Sequence, residues 1–249
     1  MILDTHVHLL PGLDDGPEDA AGAEALARLM AAESVEGAVA TPHCNHPQWP
    51  TLTPESVFER FQQTKGLLER FFPVFLGAEV WVDWQFLQSL QQVGFPWPTL
   101  AGSRYVLLEF PGISVGPEPA QVVHELRLAG YRPVLAHAER LGSFHDAAVL
   151  HRILEAGGLL QINAASILGE HGRQVQRLVR RWIAAGLVFV VASDAHHVAR
   201  RPPALAAVFA ALQREFGEAL ARLLLWENPR RILEDEPPGE APGTTMEVS

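Results

Sequence analysis

A single cysteine, Cys44, and a single lysine, Lys65, stand among 249 residues. One cysteine cannot build a disulfide framework or a CxxC zinc site, and it fits a reducing compartment. It also excludes phosphatases whose nucleophilic cysteine precedes an arginine by six residues, because the residue six beyond Cys44 is Pro50. The lysine lies in a helical stretch, so no lysine at a strand end is available to bridge two metals as a carbamate. No apolar run approaches the roughly 18 residues that span a bilayer. No basic segment followed by a long apolar core opens the chain. The expectation is a cytoplasmic protein that is not itself a membrane protein. Basic side chains are outnumbered 19 to 29, and a net charge of −10 excludes a basic stripe for nucleic acid. It does not exclude a phosphorylated substrate, because carboxylates that hold a metal count in that total.

What the chain does contain is ample core material, 48% hydrophobic against 19% charged. Short apolar runs alternate with helical stretches from end to end. The strand candidates are residues 1–5, 37–41, 73–79, 104–110, 133–137, 159–163 and 187–194. Their near-continuous apolar character predicts strands buried on both faces, as in a parallel sheet covered by helices. Helices are expected over 17–34, 53–71 and 117–130, among others. Seven strand–helix units predict one α/β barrel domain over residues 1–233, with a doubly wound open sheet as the alternative. The Pro/Gly-rich segment 234–249 is expected to be a disordered tail.

The polar residues fall in a pattern on that map. His6 and His8 close strand 1, with Asp14 and Asp15 just beyond; strand 2 ends at His43 and strand 3 at Glu79. Glu109, His137, and the pair Asp194 and His196 close three of the later strands. In a parallel barrel these ends open onto one face, where active sites are built. Residues i and i+2 of a strand point the same way, so both imidazoles of His6-x-His8 can reach one ion. Nitrogen and carboxylate donors without thiolates suit zinc, manganese or iron. The candidates exceed what one ion needs, so a cluster of two or three is expected, with carboxylates such as Glu79 bridging ions about 3.5–4 Å apart. One such residue would be an ordinary loop or cap residue; six of seven strands finishing alike is not explained that way. His124, His145, His151 and His171 fall in helices or loops and read as surface residues, while His46 and His197 flank the site motifs.

The motifs "HVHLLPGLDDG", "ATPH", "GAEV", "LEFP", "AHAER", "ASDAHHVARRP" and "ENPRRIL" follow one another across residues 4–233. In this order the sequence resembles the PHP superfamily, and within it the bacterial capsule and exopolysaccharide tyrosine-protein phosphatases. The resemblance implies a distorted (β/α)7 TIM-like barrel, the PHP fold, with a metal site at the C-terminal strand ends. It implies three sites: His6, His8, Glu79 and Asp194; Glu79, Glu109 and His137; and Asp15, His43 and His196, with Asp14 the alternative to Asp15. The ions implied are two to three divalent metals, manganese above all, with iron or zinc also fitting. Arg140 and Arg201 match arginines that hold the substrate phosphate, a task suited to a forked donor. His43 and His196 are the side chains that could assist the leaving group, and a tyrosinate, with a pKa of about 10, needs little assistance. The substrate implied is a phosphotyrosine protein, the C-terminal tyrosine cluster of a bacterial tyrosine kinase. The alternatives are histidinol phosphate or another small phosphoester, and a metal-stabilised regulatory module without turnover. The chain departs from the family pattern at Ala138, where proline is usual, at Trp81, where an arginine often lies nearby, and in the Pro/Trp-rich segment after His43.

Overall fold

A computed structural model of the chain describes residues 1–93, 95–111 and 116–239. Among the described residues nine strands follow in chain order: β1 (Ile2–Val7), β2 (Val35–Ala40), β3 (His43–Cys44), β4 (Val74–Leu76), β5 (Glu79–Trp81), β6 (Tyr105–Glu109), β7 (Arg132–Leu135), β8 (Leu159–Asn163) and β9 (Val188–Ala192). All pairings between them are parallel. They form a three-stranded sheet, β1-β2-β4, and a six-stranded sheet, β3-β5-β6-β7-β8-β9. Every residue of β1, β7 and β9 is buried, which accounts for the unbroken apolar character of those runs.

The seven expected strands are present, and two of them are broken. The second divides into β2 and β3 at Thr41-Pro42, and the third into β4 and β5 at Gly77-Ala78. Pro42 has no N–H for a ladder. At Gly77 a Cβ would lie 2.8 Å from Val39 Cγ1 and 3.0 Å from Leu100 Cδ2, so the neighbouring chain packs where a side chain would stand. Single bonds span the break, from Gly77 N–H to Ala40 O (2.9 Å) and from Glu79 N–H to Pro42 O (3.1 Å). At the other flank Asp194 N–H bonds His6 O and His8 N–H bonds Ala195 O, both at 2.9 Å. The ladders are thus those of two sheets rather than of one uninterrupted cylinder.

Helices fill the connections: α1 (Ala20–Ala32), α2 (Pro54–Leu68), α3 (Trp84–Val93), α4 (Pro119–Leu128), α5 (Ala147–Glu155), α6 (Ala164–Leu168), α7 (Arg173–Ala184), α8 (Leu205–Phe216), α9 (Glu218–Arg222) and α10 (Asn228–Leu233). The starts of α1, α2, α4 and α5 follow from polar side chains that satisfy free N–H groups. Asp19 accepts from Gly22 N–H at 2.8 Å, Thr53 and Ser56 cap each other's backbone, and Glu118 accepts from Gln121 N–H at 3.0 Å. Helix faces such as Leu26 and Met30 of α1 and Val122, Val123 and Leu126 of α4 join the strands in the core. None of the described helices is long and apolar enough to cross a membrane.

The expected tail begins later than residue 234. Asp235 pairs with Arg104 and Arg132, each at 2.8 Å, and Glu236 O accepts from Tyr105 O–H at 2.7 Å. The composition of this stretch concealed basic partners that lie more than a hundred residues away. Residues 240–249 of the expected tail lie outside the described residues.

One buried carboxylate ties the first strand to the last. Asp4 Oδ2 accepts from Ser193 Oγ (2.5 Å), and Oδ1 accepts from the N–H groups of Ser193 (3.0 Å) and His6 (3.3 Å). Burial raises its pKa to about 6 against these bonds. A folded-state value above the ordinary 3.8 means that Asp4 favours folding at low pH and loses that contribution as pH rises through about 6. Asp4→Ala, which strands three donors, should cost about 2–4 kcal/mol in urea unfolding. Asp4→Asn should fold near wild type and flatten the fall in stability between pH 4 and 6 relative to it.

Candidate metal centre

The strand ends converge on Glu79, whose side chain is fully buried. Its Oε2 lies 3.3 Å from His6 Nε2, 3.3 Å from His8 Nε2 and 3.1 Å from His43 Nδ1. Its Oε1 lies 2.7 Å from His137 Nε2. β5 sets Glu79 directly beside His43 of β3 in register, and β1 turns His6 and His8 to the same side. Asp194 approaches His6 Nε2 at 3.5 Å and His8 Nε2 at 3.7 Å. Glu109 reaches His43 Nδ1 at 3.3 Å and His137 Nε2 at 3.7 Å. Asp15 lies 3.0 Å from His196 Nε2 and 3.5 Å from His43 Nε2. All nine residues expected as ligands therefore lie in one contiguous cluster.

Among the described residues, four sets of donor atoms fall close enough together to share an ion: His6, His8, Glu79 and Asp194; Glu79, Glu109 and His137; His8, Asp15, His43 and His196; and His43, His46 and Glu109. The first two coincide with sets implied by the resemblance, and the third adds His8 to one of them. Hydrogen bonds support such a use. His8 Nδ1 is bound to Asp14 Oδ2 at 2.6 Å, His6 Nδ1 to Gln161 Oε1 at 3.1 Å, and His196 Nδ1 to Asp194 O at 2.9 Å. Each oxygen takes the Nδ1 proton and leaves the Nε2 lone pair facing inward, the arrangement of metal-ligating imidazoles. Nε2 of all three, His43 Nδ1, Glu79 Oε2 and Glu109 Oε2 are buried without a hydrogen-bond partner among the described residues. Buried polar atoms are seldom left so, and divalent cations fit this nitrogen and oxygen donor set.

Asp14 and Asp15 separate cleanly. Asp14 spends Oδ2 on His8 Nδ1 and on His43 N–H (2.9 Å), and Oδ1 on Gly16 N–H (3.0 Å). Asp15 instead faces His43 and His196. His46 differs from the other imidazoles: its Nδ1 accepts from Gln48 N–H at 3.2 Å, which places any ring proton on Nε2. That tautomer offers a donor rather than a lone pair to the cluster, although His46 lies 3.8 Å from Glu109. His197 stays outside, its Nδ1 accepting from Ala199 N–H at 3.0 Å.

The electrostatics follow from packing imidazoles against buried carboxylates. Burial works against ionised Glu79, yet His6 and His43 hold its pKa well below the usual range. Burial likewise opposes ionised Asp194 and Asp14, which His6 and Arg201 and, for Asp14, His8 hold low. Burial would lower His137, but its bond to Glu79 raises it to about 9. His196 falls to about 4 through burial and the nearby His8. Cys44 is fully buried, and burial with Asp14 and Glu79 nearby pushes its thiol up, the opposite of what a thiolate nucleophile needs.

The two arginines arrive from the Asp194 side. Arg201 Nη2 bonds Asp194 Oδ2 at 2.7 Å and Nη1 lies 3.4 Å from Asp15 Oδ2, while Arg140 Nη1 lies 3.5 Å from Asp194 Oδ2. Both remain partly exposed, so guanidinium donors stay open to solvent. Two strand-end residues are held in left-handed conformations, His137 (φ 32°) and Asp194 (φ 52°), where non-glycine residues are strained and functional sites often sit.

Sequence reasoning passed over the layer behind this cluster. Gln161 Oε1 accepts from both His6 Nδ1 and His137 N–H, and its Nε2 donates to Asn163 Oδ1 at 2.9 Å. Asn163 Nδ2 then donates to Asp194 Oδ2 at 2.6 Å. The buried Glu139 accepts from Asn163 N–H (3.0 Å) and Ser166 Oγ (2.5 Å), and Ser166 holds the exposed His171 through Nδ1 at 2.8 Å. The one signal was two amides spaced i, i+2 in the otherwise apolar strand "LLQIN", on the one expected strand without a ligand-type end.

The comparisons with known proteins concern nearly the whole chain. The sequence model of the CpsB/CapC family, described as capsular polysaccharide synthesis, matches residues 2–234. Tyrosine-protein phosphatase YwqE of Bacillus subtilis is 31% identical over 239 residues, covering 94% of this chain and 92% of that protein. Tyrosine-protein phosphatase CpsB of Streptococcus pneumoniae is 27% identical over 244 residues, 94% and 99% of the two chains. A crystal structure from work on these two, called metal-dependent tyrosine phosphatases, matches with a TM-score of 0.85 at 30% identity over 95% of this chain and 96% of that one. A phosphotriesterase from Mycobacterium tuberculosis shares the fold alone, with a TM-score of 0.58 at 14% identity over 94% of each chain.

The roles given to Asp14 and His6 separate by metal content. Asp14→Asn should weaken manganese binding about 10–100-fold while all ligands remain. His6→Ala should lose an ion outright, read by elemental analysis after gel filtration and by chelator competition.

Proposed function

This chain belongs to the CpsB/CapC family, and on that premise we propose that it is a metal-dependent protein-tyrosine phosphatase on a distorted (β/α)7 barrel. The observation that carries the reading is the set of buried, unpartnered imidazole nitrogens and carboxylate oxygens beside two open guanidinium groups. His6, His8, Glu79 and Asp194 would hold one divalent ion, Glu79, Glu109 and His137 a second, and Asp15, His43 and His196 a third. Manganese is the ion expected, with iron or zinc compatible with the same donors. When bound, such ions supply Lewis acidity that activates water and draws charge from the phosphoryl oxygens.

The protein's own side chains do the rest. Arg140 and Arg201 bind and orient the phosphoryl oxygens through forked donors, and they offset charge as the group transfers. Their existing pairing with Asp194 keeps both guanidinium groups aimed at the cluster before substrate arrives. Asp14, Gln161 and Asn163 fix ring orientation and tautomer, so that little reorganisation accompanies the reaction. Tyrosinate, with a pKa of about 10, leaves with less protonation than a serine alkoxide needs. His43 and His196 are buried beside the more exposed Asp15 and would hold an ion there. A ring nitrogen that ligates a metal is deprotonated and has no proton to give the leaving oxygen. The substrate proposed is a cytoplasmic phosphotyrosine protein of capsule or exopolysaccharide synthesis, such as the C-terminal tyrosine cluster of a bacterial tyrosine kinase.

With manganese, the protein should hydrolyse a phosphotyrosine peptide faster than its phosphoserine counterpart or histidinol phosphate, and chelator should abolish turnover. Arg140→Ala should raise KM about 10–100-fold with metal content unchanged, the scale of a lost charge-assisted contact. Equal or better turnover of histidinol phosphate would move the assignment to a small-molecule phosphatase. No turnover of any phosphoester would leave a metal-stabilised regulatory module.

A further inference from the structure

At His43 the cluster is bordered by aromatic rings. Trp49 stacks on His43, with centroids 4.7 Å apart and planes 7° from parallel. Trp49 also meets His46 at 4.8 Å, and His46 meets Trp81 edge-on at 4.7 Å. Trp81 lies in register with Glu109 on β6, so this row of rings follows the Glu109 side of the cluster. The two loops that carry it are tied together: Asn45 Nδ2 donates to Trp81 O (2.9 Å) and approaches Asp83 Oδ1 (3.3 Å). Within the first loop, Gln48 N–H bonds His46 Nδ1 and Trp49 N–H bonds His46 O at 2.9 Å. The rings are thus set in place by backbone contacts rather than left to drift.

Their burial sets them apart from core aromatics. His46 is buried between the two indoles, whereas Trp49 and Trp81 are only half-buried. An indole that served only to wedge His43 would be expected to bury both faces, since its large apolar area is the source of its packing energy. Here a pair of partly open indoles adjoins a cluster whose other chemistry suits a dianionic phosphoryl group.

Resting on the phosphatase reading above, we propose that Trp49 and Trp81, propped by His46, form the leaving-group subsite, which selects aryl over alkyl phosphates. The phosphoryl group sits at the cluster under Arg140 and Arg201, and the ring esterified to it packs on the indoles. Aromatic pairs of this kind favour offset or edge contacts with centroids 4.5–7 Å apart. An alkyl phosphate such as phosphoserine leaves the indoles uncovered and loses that contact.

The test uses two unreactive ligands that share a phosphonate head, phenylphosphonate and methylphosphonate, titrated calorimetrically into manganese-loaded protein. Wild type should bind the phenyl compound at least about 10-fold more tightly. Trp49→Leu and Trp81→Leu should each erase most of that ratio, with methylphosphonate affinity and metal content unchanged, while Trp49→Phe and Trp81→Phe should keep most of it. Turnover of the phosphotyrosine peptide, measured alongside, keeps the two readings apart. If turnover persists but wild type shows no phenyl preference, or the leucine variants retain it, the subsite is wrong and the phosphatase reading stands. A parallel loss of both ligands in the leucine variants would make the indoles mere supports for His43 and would also sink the subsite. If wild type turns over no phosphoester and binds neither phosphonate, the phosphatase reading itself fails.

Discussion

Glu79 is a carboxylate with no exposed surface, and four imidazoles, those of His6, His8, His43 and His137, lie within 3.3 Å of its oxygens. A buried charge is tolerable only when it is paired or bound to metal, so the strands carrying those histidines must end where they do. Glu79 starts β5 beside His43 in the same register that pairs Ala40 with Leu76, so the break at Pro42 and Gly77 leaves the alignment of the two strands unchanged. Backbone bonds from Gly77 N–H to Ala40 O and from Glu79 N–H to Pro42 O carry that alignment across the break, and the side chains beyond it meet on one face.

Around that centre the polar residues divide by task. One group presents donor atoms inward, and a second, Asp14, Gln161, Asn163 and Asp4, holds the first in orientation. The division matters because imidazole has two nitrogens, and only the bond made by one determines what the other can offer. His46 illustrates the point by contrast. It lies in the same neighbourhood, yet its Nδ1 accepts a backbone N–H, so the ring belongs with the tryptophans rather than with the lone pairs.

Arginines border the cluster at Asp194 and Asp15, and aromatic rings border it at His43 and His46. Cys44, next in sequence to His43, takes no part, because burial beside carboxylates keeps its thiol protonated. The contrast between adjacent residues arises from strand alternation, which sends one side chain to the site and the next into the core.

Much of this was legible in the sequence, because the decisive rules were local. His6 and His8 share a side of β1 by the two-residue strand period, and the clustering of ligand-type residues at strand ends follows from parallel topology. A lone cysteine with Pro50 six residues beyond it and a lone lysine in a helical stretch excluded two other chemistries. Other features depended on distances across the chain that no local rule supplies. Asp14 and Asp15 are neighbours in sequence, and only the position of His8 makes one an orienting residue and leaves the other facing His43 and His196. Gln161 reaches His6 across 155 positions, and Asp235 leaves the expected tail because Arg104 and Arg132 lie opposite it. The sequence determined which donor types the face would carry and on which strand ends. The tertiary structure decided which atom of each side chain is spent on its neighbours and which remains free, because hydrogen-bond partners are assigned by proximity in space.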